Sequence, residues 1–266
     1  SLGEFNGAVA AIEIESGGIL ALVSKPGYDP NLFVEGISSE DYEALKNSID
    51  KPLFNRAIRG QYPPGSTVKP FISLAGLEYG VVGYHQKTYC PGYYQLPGKE
   101  HKYRDWKKWG HAEVDMEKAI VESCDVYYYE LARTLGIDRL HEFLTGFGFG
   151  HPSRVDLTGE LSGLMPSREW KRERRREPWY PGETLIVGIG QGYFLATPLQ
   201  LAAATATLAN QGHHIRPRVV ANIEKPDGTL QSSPKIIDDL KQLDPMHWNQ
   251  VIDAMTKVIE GPTGTA

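Results

Sequence analysis

The pattern of hydrophobic and polar positions predicts one short hairpin near the start of the chain. Residues 8–14 have the apolar composition of a buried strand, and residues 19–24 repeat it. Between them, Glu15-Ser16-Gly17-Gly18 is typical of a turn. Two strands joined by so short a turn must run antiparallel. The sheet is therefore predicted to be at least partly antiparallel.

Most of the remaining apolar positions recur with helical spacing. Ser39 is the predicted cap of the first helix, Gly80 ends the second, and Thr197 followed by Pro198 begins a later one. The predicted helices cover residues 39–47, 66–79, 116–135, 137–144, 167–177, 198–210 and 245–259. A further strand is predicted over residues 218–223, and residues 84–110 form a long segment rich in Tyr, Trp, Pro and Gly.

Many helices with a hairpin at one end, and no alternation of strand and helix, indicate an α+β fold. We predict one domain over residues 1–266, in which the hairpin of residues 7–24 belongs to a sheet part. Residues 60–212 are predicted to form a mainly helical part that carries the active site.

Composition and charge exclude several classes. The chain has 266 residues, of which 41% are hydrophobic and 23% charged, so it can bury a core and is not a disordered chain. Its net charge of -5 is not that of a nucleic-acid-binding protein. No run of about 18 apolar residues appears. The basic run 168–176 is interrupted by Glu169 and Glu173, which favours a solvated helix over a site for a polyanion.

Ser66 and Lys69 are the first candidates for chemistry. They follow the helix-breaking Pro63-Pro64-Gly65 and lie three residues apart, so a helix would place both side chains on one face. A serine hydroxyl needs a base to become a strong nucleophile, and a desolvated lysine amine can serve. Taken alone, Ser-x-x-Lys is a short and common pattern, and Ser66 could equally be a helix cap.

A second hydroxyl and a carboxylate occur at Ser123 and Asp125. Together they could hold Lys69 and relay a proton to a leaving amine. Ser-x-x-Lys, Ser-Asp-Asn and Lys-Thr-Gly form the motif set of penicillin-binding proteins and class A β-lactamases. Ser123-Cys124-Asp125 resembles the middle element, with Asp in place of the usual Asn.

Beyond these motifs, the chain resembles the transpeptidase domain of the elongation-specific, class B penicillin-binding protein 2 family. The resemblance extends from about Gly7 to the end, and it is strongest over residues 18–24, 28–31, 62–69, 103–111, 188–192 and 196–198. It implies a penicillin-binding transpeptidase fold, with an antiparallel sheet flanked by helices and a mainly helical subdomain. It also implies a covalent acyl-enzyme on Ser66, with Lys69, Ser123 and Asp125 in support. The segment 188–192 is interpreted as backbone packing near the site, although its glycines also resemble a weak nucleotide-binding pattern.

The family's third motif, Lys-Ser-Gly or Lys-Thr-Gly, is absent from this sequence. Thr263-Gly264-Thr265 is similar, but Pro262 stands where the Lys should be. By resemblance, the chain ends shortly before the strand that carries the motif, so the C-terminal sheet strands are expected to be missing. This chain is therefore expected to acylate more slowly than a form that includes the motif.

Cys90, Asp105, His111 and Cys124 carry thiol, carboxylate and imidazole groups, which are all zinc ligands. Three of them surround the long irregular segment, which a zinc would fasten to Ser123. Zinc-binding members of the family carry ligands at the matching positions, with Asp where this chain has Cys90. A Cys90–Cys124 disulfide and two unpaired buried thiols are the alternatives.

The resemblance implies a peptidoglycan D,D-transpeptidase that cross-links stem peptides during cell elongation and is inhibited by β-lactams. The alternatives are a β-lactam-hydrolysing or β-lactam-sensing relative and a non-catalytic binding module. The expected partners are stem peptides, β-lactams and, through a longer parent protein, the glycosyltransferase and scaffold proteins of the elongation complex. That parent is expected at the periplasmic face of the inner membrane, anchored by an N-terminal helix that this chain lacks.

Overall fold

A computed structural model of the protein describes residues 2–232, 237–240 and 242–265. Ser1 and Ala266, the ends of the predicted domain, lie outside the described residues. The helices are α1 (Ser39–Asn47), α2 (Arg56–Arg59), α3 (Lys69–Glu78), α4 (Met116–Val121), α5 (Asp125–Gly146), α6 (Arg168–Arg175), α7 (Pro181–Val187), α8 (Pro198–Ala209) and α9 (Pro245–Glu260). The strands are β1 (Gly7–Ile12), β2 (Ile19–Lys25), β3 (Thr88–Cys90), β4 (Tyr93–Gln95), β5 (Lys102–Arg104), β6 (Ala112–Val114), β7 (His213–Ile215), β8 (Asn222–Glu224), β9 (Leu230–Ser232) and β10 (Ile237–Asp239).

The predicted hairpin is confirmed. β1 and β2 pair antiparallel from Gly7 opposite Lys25 to Ile12 opposite Ile19, with a bulge after Ala11. Helices α2 and α8 pack on this hairpin, and they bury Ala57, Ile58 and Leu199 in a small core. The hairpin and its helices agree with the predicted α+β fold. The division into a sheet part and a helical part stays a prediction.

Helix α3 lies at the centre of a larger core. Phe71, Ile72 and Leu74 are almost completely buried, and α3 packs against α5 and α9. The Phe71 ring makes edge contacts to Phe147 and Phe149, with centroids 5.1 and 5.3 Å apart. Aromatic pairs of this geometry add to the stability that burial provides. The packing of Phe71 therefore fixes the start of α3, which follows Ser66 in the chain.

Several boundaries differ from the prediction because local capping decides them. Ser38, not Ser39, caps α1, since its side chain accepts from the Asp41 amide. The predicted helix 116–135 is broken at Ser123. The predicted separation of helices 116–135 and 137–144 is confirmed, because Gly136 has non-helical backbone with a φ of 76° and divides α5 into two helical parts. The predicted strand 218–223 is also wrong in its bounds. Arg218 makes an isolated bridge to Gly18, and the strand covers Asn222–Glu224.

The basic helix α6 is not solvated on every side. Lys171 is fully buried, and its Nζ donates to Glu183 Oε1 at 2.5 Å and lies 3.5 Å from Glu177 Oε2. Burial opposes the charge of Lys171, but these carboxylates outweigh it and raise its pKa. Arg168, by contrast, is exposed and pairs with Asp138.

Candidate active site and adjoining metal cluster

Ser66 lies in a 3₁₀ turn (Gly65–Val68) and not in the helix itself, which begins at Lys69. Gly65 has a positive φ of 62°, and its amide donates to the Gly190 carbonyl at 2.8 Å. A Cβ on Gly190 would lie 2.1 Å from the Gly65 carbonyl oxygen, so only glycine permits this contact. The segment 188–192 therefore packs against the turn that presents Ser66, as its interpretation as backbone packing predicted. The Ser66 residue is exposed.

Lys69 is buried, with only 1% of its surface exposed. Its Nζ donates to Asp125 Oδ1 at 2.7 Å, to the Ser123 carbonyl at 2.8 Å and to Ser123 Oγ at 3.0 Å. The Tyr128 ring centroid lies 5.3 Å from the same atom. The structure thus brings Lys69, Ser123 and Asp125 together, although Ser123 is 54 residues away along the chain.

Ser123 occupies the left-handed region, with a φ of 53°. Its amide donates to the Ile120 carbonyl, and the Cys124 amide donates to the Ala119 carbonyl. These two bonds form the Schellman motif that ends α4, a position that usually belongs to glycine. A serine here costs about 1–3 kcal/mol of backbone strain. Its hydroxyl and carbonyl are both used to hold Lys69, which is a functional reason for accepting the strain.

The candidate active site opens into a cleft of about 820 Å³. Ser66, Ser123 and Asp125 line it, together with Trp106, Gln191 and residues 263–265. The Trp106 indole Nε1 donates to the carbonyls of Glu122 and Ser123, each at 3.1 Å. Sequence reasoning gave Trp106 no role, because nothing in the sequence places its N–H beside a carbonyl that also binds Lys69.

The four predicted metal ligands also come together. Cys90, Asp105, His111 and Cys124 are all buried, and their ligand atoms lie within 4.8 Å of one another. Asp105 Oδ2 lies 3.6 Å from Cys90 Sγ and 3.5 Å from Cys124 Sγ. His111 Nδ1 lies 3.5 Å from Cys90 Sγ and 3.6 Å from Asp105 Oδ1. A set of two sulfur, one nitrogen and one oxygen donors has the composition of a closed tetrahedral zinc site.

Backbone amides hold the Asp105 carboxylate in this position. Val126 donates its amide to Asp105 Oδ2 at 3.1 Å, and Lys107 donates its amide to Oδ1 at 3.0 Å. The backbone next to Cys90 is also closely packed, since a Cβ on Gly110 would lie 2.0 Å from the Cys90 carbonyl oxygen. The cluster is therefore built by the fold of the long segment, in which β3 pairs with β6 and β4 with β5.

One nitrogen atom of this cluster has no protein partner among the described residues. His111 Nε2 is buried without a hydrogen-bond partner, and Glu122 Oε2 lies 3.9 Å from it. Burial lowers the pKa of His111, although Asp105 opposes this shift. The lowered pKa favours the neutral ring, which is the form that binds a metal. Burial also raises the pKa of Cys124. Both cysteines are free in this structure and are not joined by a disulfide.

Cys124 separates the two clusters. Ser123 and Asp125 turn their side chains to Lys69, whereas the Cys124 thiol between them contacts Asp105. Cys124 is also the residue before the first turn of α5. This alternation places the candidate metal ligands on the opposite side of the backbone from Lys69, Ser123 Oγ and Asp125.

Residues 7–266 match the penicillin binding protein transpeptidase domain family. The chain belongs to this family. Its match extends over both clusters and the cleft, so the motif residues and the candidate metal ligands occur within one family domain.

The relatives agree with this assignment. The chain is 48% identical over 259 residues to the peptidoglycan D,D-transpeptidase MrdA of Acinetobacter baumannii, covering 97% of this chain and 38% of that protein. It is 45% identical over 263 residues to MrdA of Escherichia coli, covering 97% and 41%. The chain thus spans about two fifths of the length of these relatives.

Solved structures show the same fold. Penicillin-binding protein 2 of Pseudomonas aeruginosa in complex with WCK 5153 superimposes with a TM-score of 0.92 at 53% identity, covering 100% of this chain and 57% of that one. The complex of penicillin-binding protein 2 and MreC from Helicobacter pylori gives 0.87 at 35% identity, covering 100% and 48%. Within the described residues, no helix has the length and apolar character needed to cross a bilayer.

Proposed function

We propose that this chain is the acyl-transfer part of a peptidoglycan D,D-transpeptidase that cross-links stem peptides during cell elongation. The observation that carries the proposal is the buried Lys69 amine, held by Ser123 and Asp125, which line the same cleft as Ser66. A buried amine three residues from an exposed serine and in contact with a second hydroxyl provides the groups that serine acyl transfer needs. The names of the relatives describe the same reaction.

In the first half-reaction, Ser66 Oγ attacks the carbonyl carbon of the penultimate residue in a peptide ending in D-alanyl-D-alanine. The hydroxyl proton passes to the neutral amine of Lys69. The peptide C–N bond breaks, its electron pair goes to the departing D-alanine nitrogen, and that nitrogen takes the proton from Lys69 through the Ser123 hydroxyl. An ester on Ser66 and free D-alanine are the products.

In the second half-reaction, the amine of another stem peptide attacks the ester carbon. The amine loses a proton through the same groups, and Ser66 Oγ recovers it as the ester bond breaks. A β-lactam enters the first half-reaction in place of the peptide. Its ring amide opens, but the amine stays attached, so the ester on Ser66 persists.

Asp125 stands where an Asn is usual, and its carboxylate lies 2.7 Å from Lys69 Nζ. This carboxylate therefore accepts directly from the amine that the proposed reaction uses as its base.

The experiment is covalent labelling with a fluorescent penicillin, followed by intact mass. Because the sequence lacks the Lys-Ser-Gly or Lys-Thr-Gly motif, a form extended to include that motif is labelled beside the chain itself. One stable adduct per chain is expected, with Ser66→Ala folded and unlabelled. Rapid loss of the adduct as hydrolysed penicillin would favour a β-lactamase instead, and absence of any adduct on the extended form would favour a binding module.

We further propose that the cluster of Cys90, Asp105, His111 and Cys124 binds a structural zinc. The donor set and the ligand atoms within 4.8 Å of one another support this fit. His111 would bind through Nδ1, which lies 3.5 Å from Cys90 Sγ. A structural zinc supplies folding free energy and takes no part in bond making.

Elemental analysis with a thiol count under denaturing conditions tests the zinc proposal. About one zinc per chain and two free thiols are expected from a closed four-ligand site. A metal-free protein with a Cys90–Cys124 disulfide would contradict it.

We also propose that the whole protein acts at the periplasmic face of the inner membrane, with a scaffold protein as partner. The complex of the Helicobacter pylori relative with MreC supports such a partner. A peptidoglycan synthase complex, whose matched chain is 32% identical, supports a polymerising partner. Co-purification of the full-length protein with each candidate tests this.

A further inference from the structure

A second cavity of about 810 Å³ lies beside the catalytic cleft and is not used by the mechanism above. It lies between the β4–β5 connection and the start of α7. Leu96, Tyr103, Ile186 and Tyr193 give it a largely apolar wall. Cavities of this size and character are typical of sites that bind small molecules or peptide segments.

Two chain segments pass from this cavity into the catalytic cleft. Tyr103 lines the cavity, and Trp106 lines the cleft. In the same way, Gln191 lines the cleft, and the next two residues, Gly192 and Tyr193, line the cavity. A few residues of extended chain span about 10 Å, so one bound peptide could occupy both spaces.

The cavity carries an excess of positive charge. Lys99, His101 and Arg133 line it and are exposed to solvent. The acidic lining residue Glu183 is already paired, because its Oε1 accepts from the buried Lys171. Basic side chains around an apolar wall select ligands that combine carboxylates with an extended or aliphatic backbone.

The floor of the cavity is preformed. Glu183 Oε2 accepts from the Tyr180 amide at 2.8 Å, and the Lys171 ammonium lies 4.3 Å from the Tyr180 ring centroid. A Cβ on Gly182 would lie 2.1 Å from the Tyr103 hydroxyl, so α7 and β5 are in close contact here. A preformed site loses little conformational entropy on binding.

We propose that this cavity is a subsite for the carboxylate-bearing part of the peptide substrate, outside the terminal residues that react at Ser66. The substrate class rests on the proposed function. The binding itself does not require acylation, so it can be measured in Ser66→Ala protein.

The probe is a fluorescently tagged pentapeptide that ends in D-alanyl-D-alanine and carries two further carboxylates. Its affinity for Ser66→Ala protein is measured by anisotropy, beside that of the same peptide with those two carboxylates amidated. The charge-reversed variant is Lys99→Glu/Arg133→Glu. Lys225→Glu, on the exposed β8–β9 turn, carries one such reversal and is the control for net charge that matches Lys99→Glu alone. Because Arg133 also donates to the Tyr94 hydroxyl, Lys99→Glu alone is a second variant, and thermal unfolding checks each fold.

The double reversal should weaken binding of the acidic peptide on the order of tenfold or more, since charge-assisted contacts are lost. The amidated peptide should bind Ser66→Ala protein about as weakly as the acidic peptide binds the charge-reversed variant. Its affinity should not change further when Lys99 and Arg133 are replaced by Glu. Ile186→Trp, which fills the cavity, should weaken both peptides. Equal affinity for acidic and amidated peptides, or an equal loss with Lys225→Glu, would overturn the subsite. Failure of penicillin to acylate Ser66 would instead overturn the proposed function and leave this measurement intact.

Discussion

The two buried polar clusters meet at the Ser123–Cys124 peptide bond and differ in how their charges are satisfied. On one side, Lys69 has three acceptors within 3.0 Å. On the other side, four metal-binding groups contact one another mostly at 3.5 Å or more, and His111 Nε2 has no partner. Buried polar groups are normally hydrogen-bonded. All of the Lys69 contacts in the first cluster are thus short hydrogen bonds, whereas the second cluster holds longer contacts and one unpaired nitrogen.

For the cluster around Lys69, we predict that a substitution that keeps the positive charge but removes the base will abolish most of the acylation activity. Lys69→Arg should slow penicillin acylation by about 100-fold or more, nearly as much as Lys69→Ala, since arginine cannot act as a base. Lys107→Arg, at an exposed residue of the same cleft, is the matched control and should label normally. The measurement is the rate of labelling, and substantial acylation by Lys69→Arg would mean that Lys69 acts only as a fixed charge.

Substitution of a proposed metal ligand should lower the free energy of unfolding before it affects acylation. His111→Ala should release the zinc and lower the free energy of unfolding by about 3 kcal/mol or more, the scale of losing a structural metal ligand. A chelator should have a similar effect, with the segment 84–110 loosening first, as hydrogen exchange would report. His85→Ala, at an exposed residue, should retain the metal. A His111→Ala protein with full zinc content would remove this residue from the site.

Ser123 contacts Lys69 through its hydroxyl and also has a strained left-handed backbone. Two substitutions separate the effect of the hydroxyl from that of the backbone. Ser123→Gly relieves the left-handed conformation, whereas Ser123→Ala keeps the strain. Both should slow acylation, because both lose the hydroxyl that Lys69 contacts. Denaturant unfolding should show the Gly variant more stable than the Ala variant by about 1 kcal/mol. Equal stabilities would mean that the backbone at Ser123 is not strained.

The smallest effect is expected at Trp106, which links the two sides. Trp106→Phe keeps the ring but removes the N–H that donates to the Ser123 carbonyl. Loss of one such bond should slow acylation by only about fivefold. Zinc content should not change, because Asp105 keeps its own amide donors. A metal-depleted Trp106→Phe protein would show that this side chain supports the metal cluster instead.

The sequence predicted best what local pattern decides. The hairpin and helices α8 and α9 have long apolar patterns and clear caps, such as Thr197, which accepts from the Gln200 amide. The two short helices α2 and α7 and the three-residue strands other than β8 were missed, because so few residues carry no periodicity. Lys171 was assigned to a solvated face, since its partner Glu183 lies 12 residues further along and outside the helix.

The candidate site also contains features that local sequence decides and features that depend on distant contacts. Ser66 and Lys69 are three residues apart, so their proximity follows from local geometry. The pairing of Lys69 with Ser123 joins residues 54 apart, and only the resemblance to a known family predicted it. The break in the helix at Ser123 could not be predicted, because glycine and not serine is the usual signal for a left-handed cap.

The most direct test of the account is to locate the penicillin adduct within the protein. The extended form is labelled, digested, and mapped by tandem mass spectrometry. A single adduct is expected on Ser66, at about one per chain, and none in Ser66→Ala. An adduct on Ser123 or on another residue, or undiminished labelling of Ser66→Ala, would contradict the assignment of Ser66 as the nucleophile.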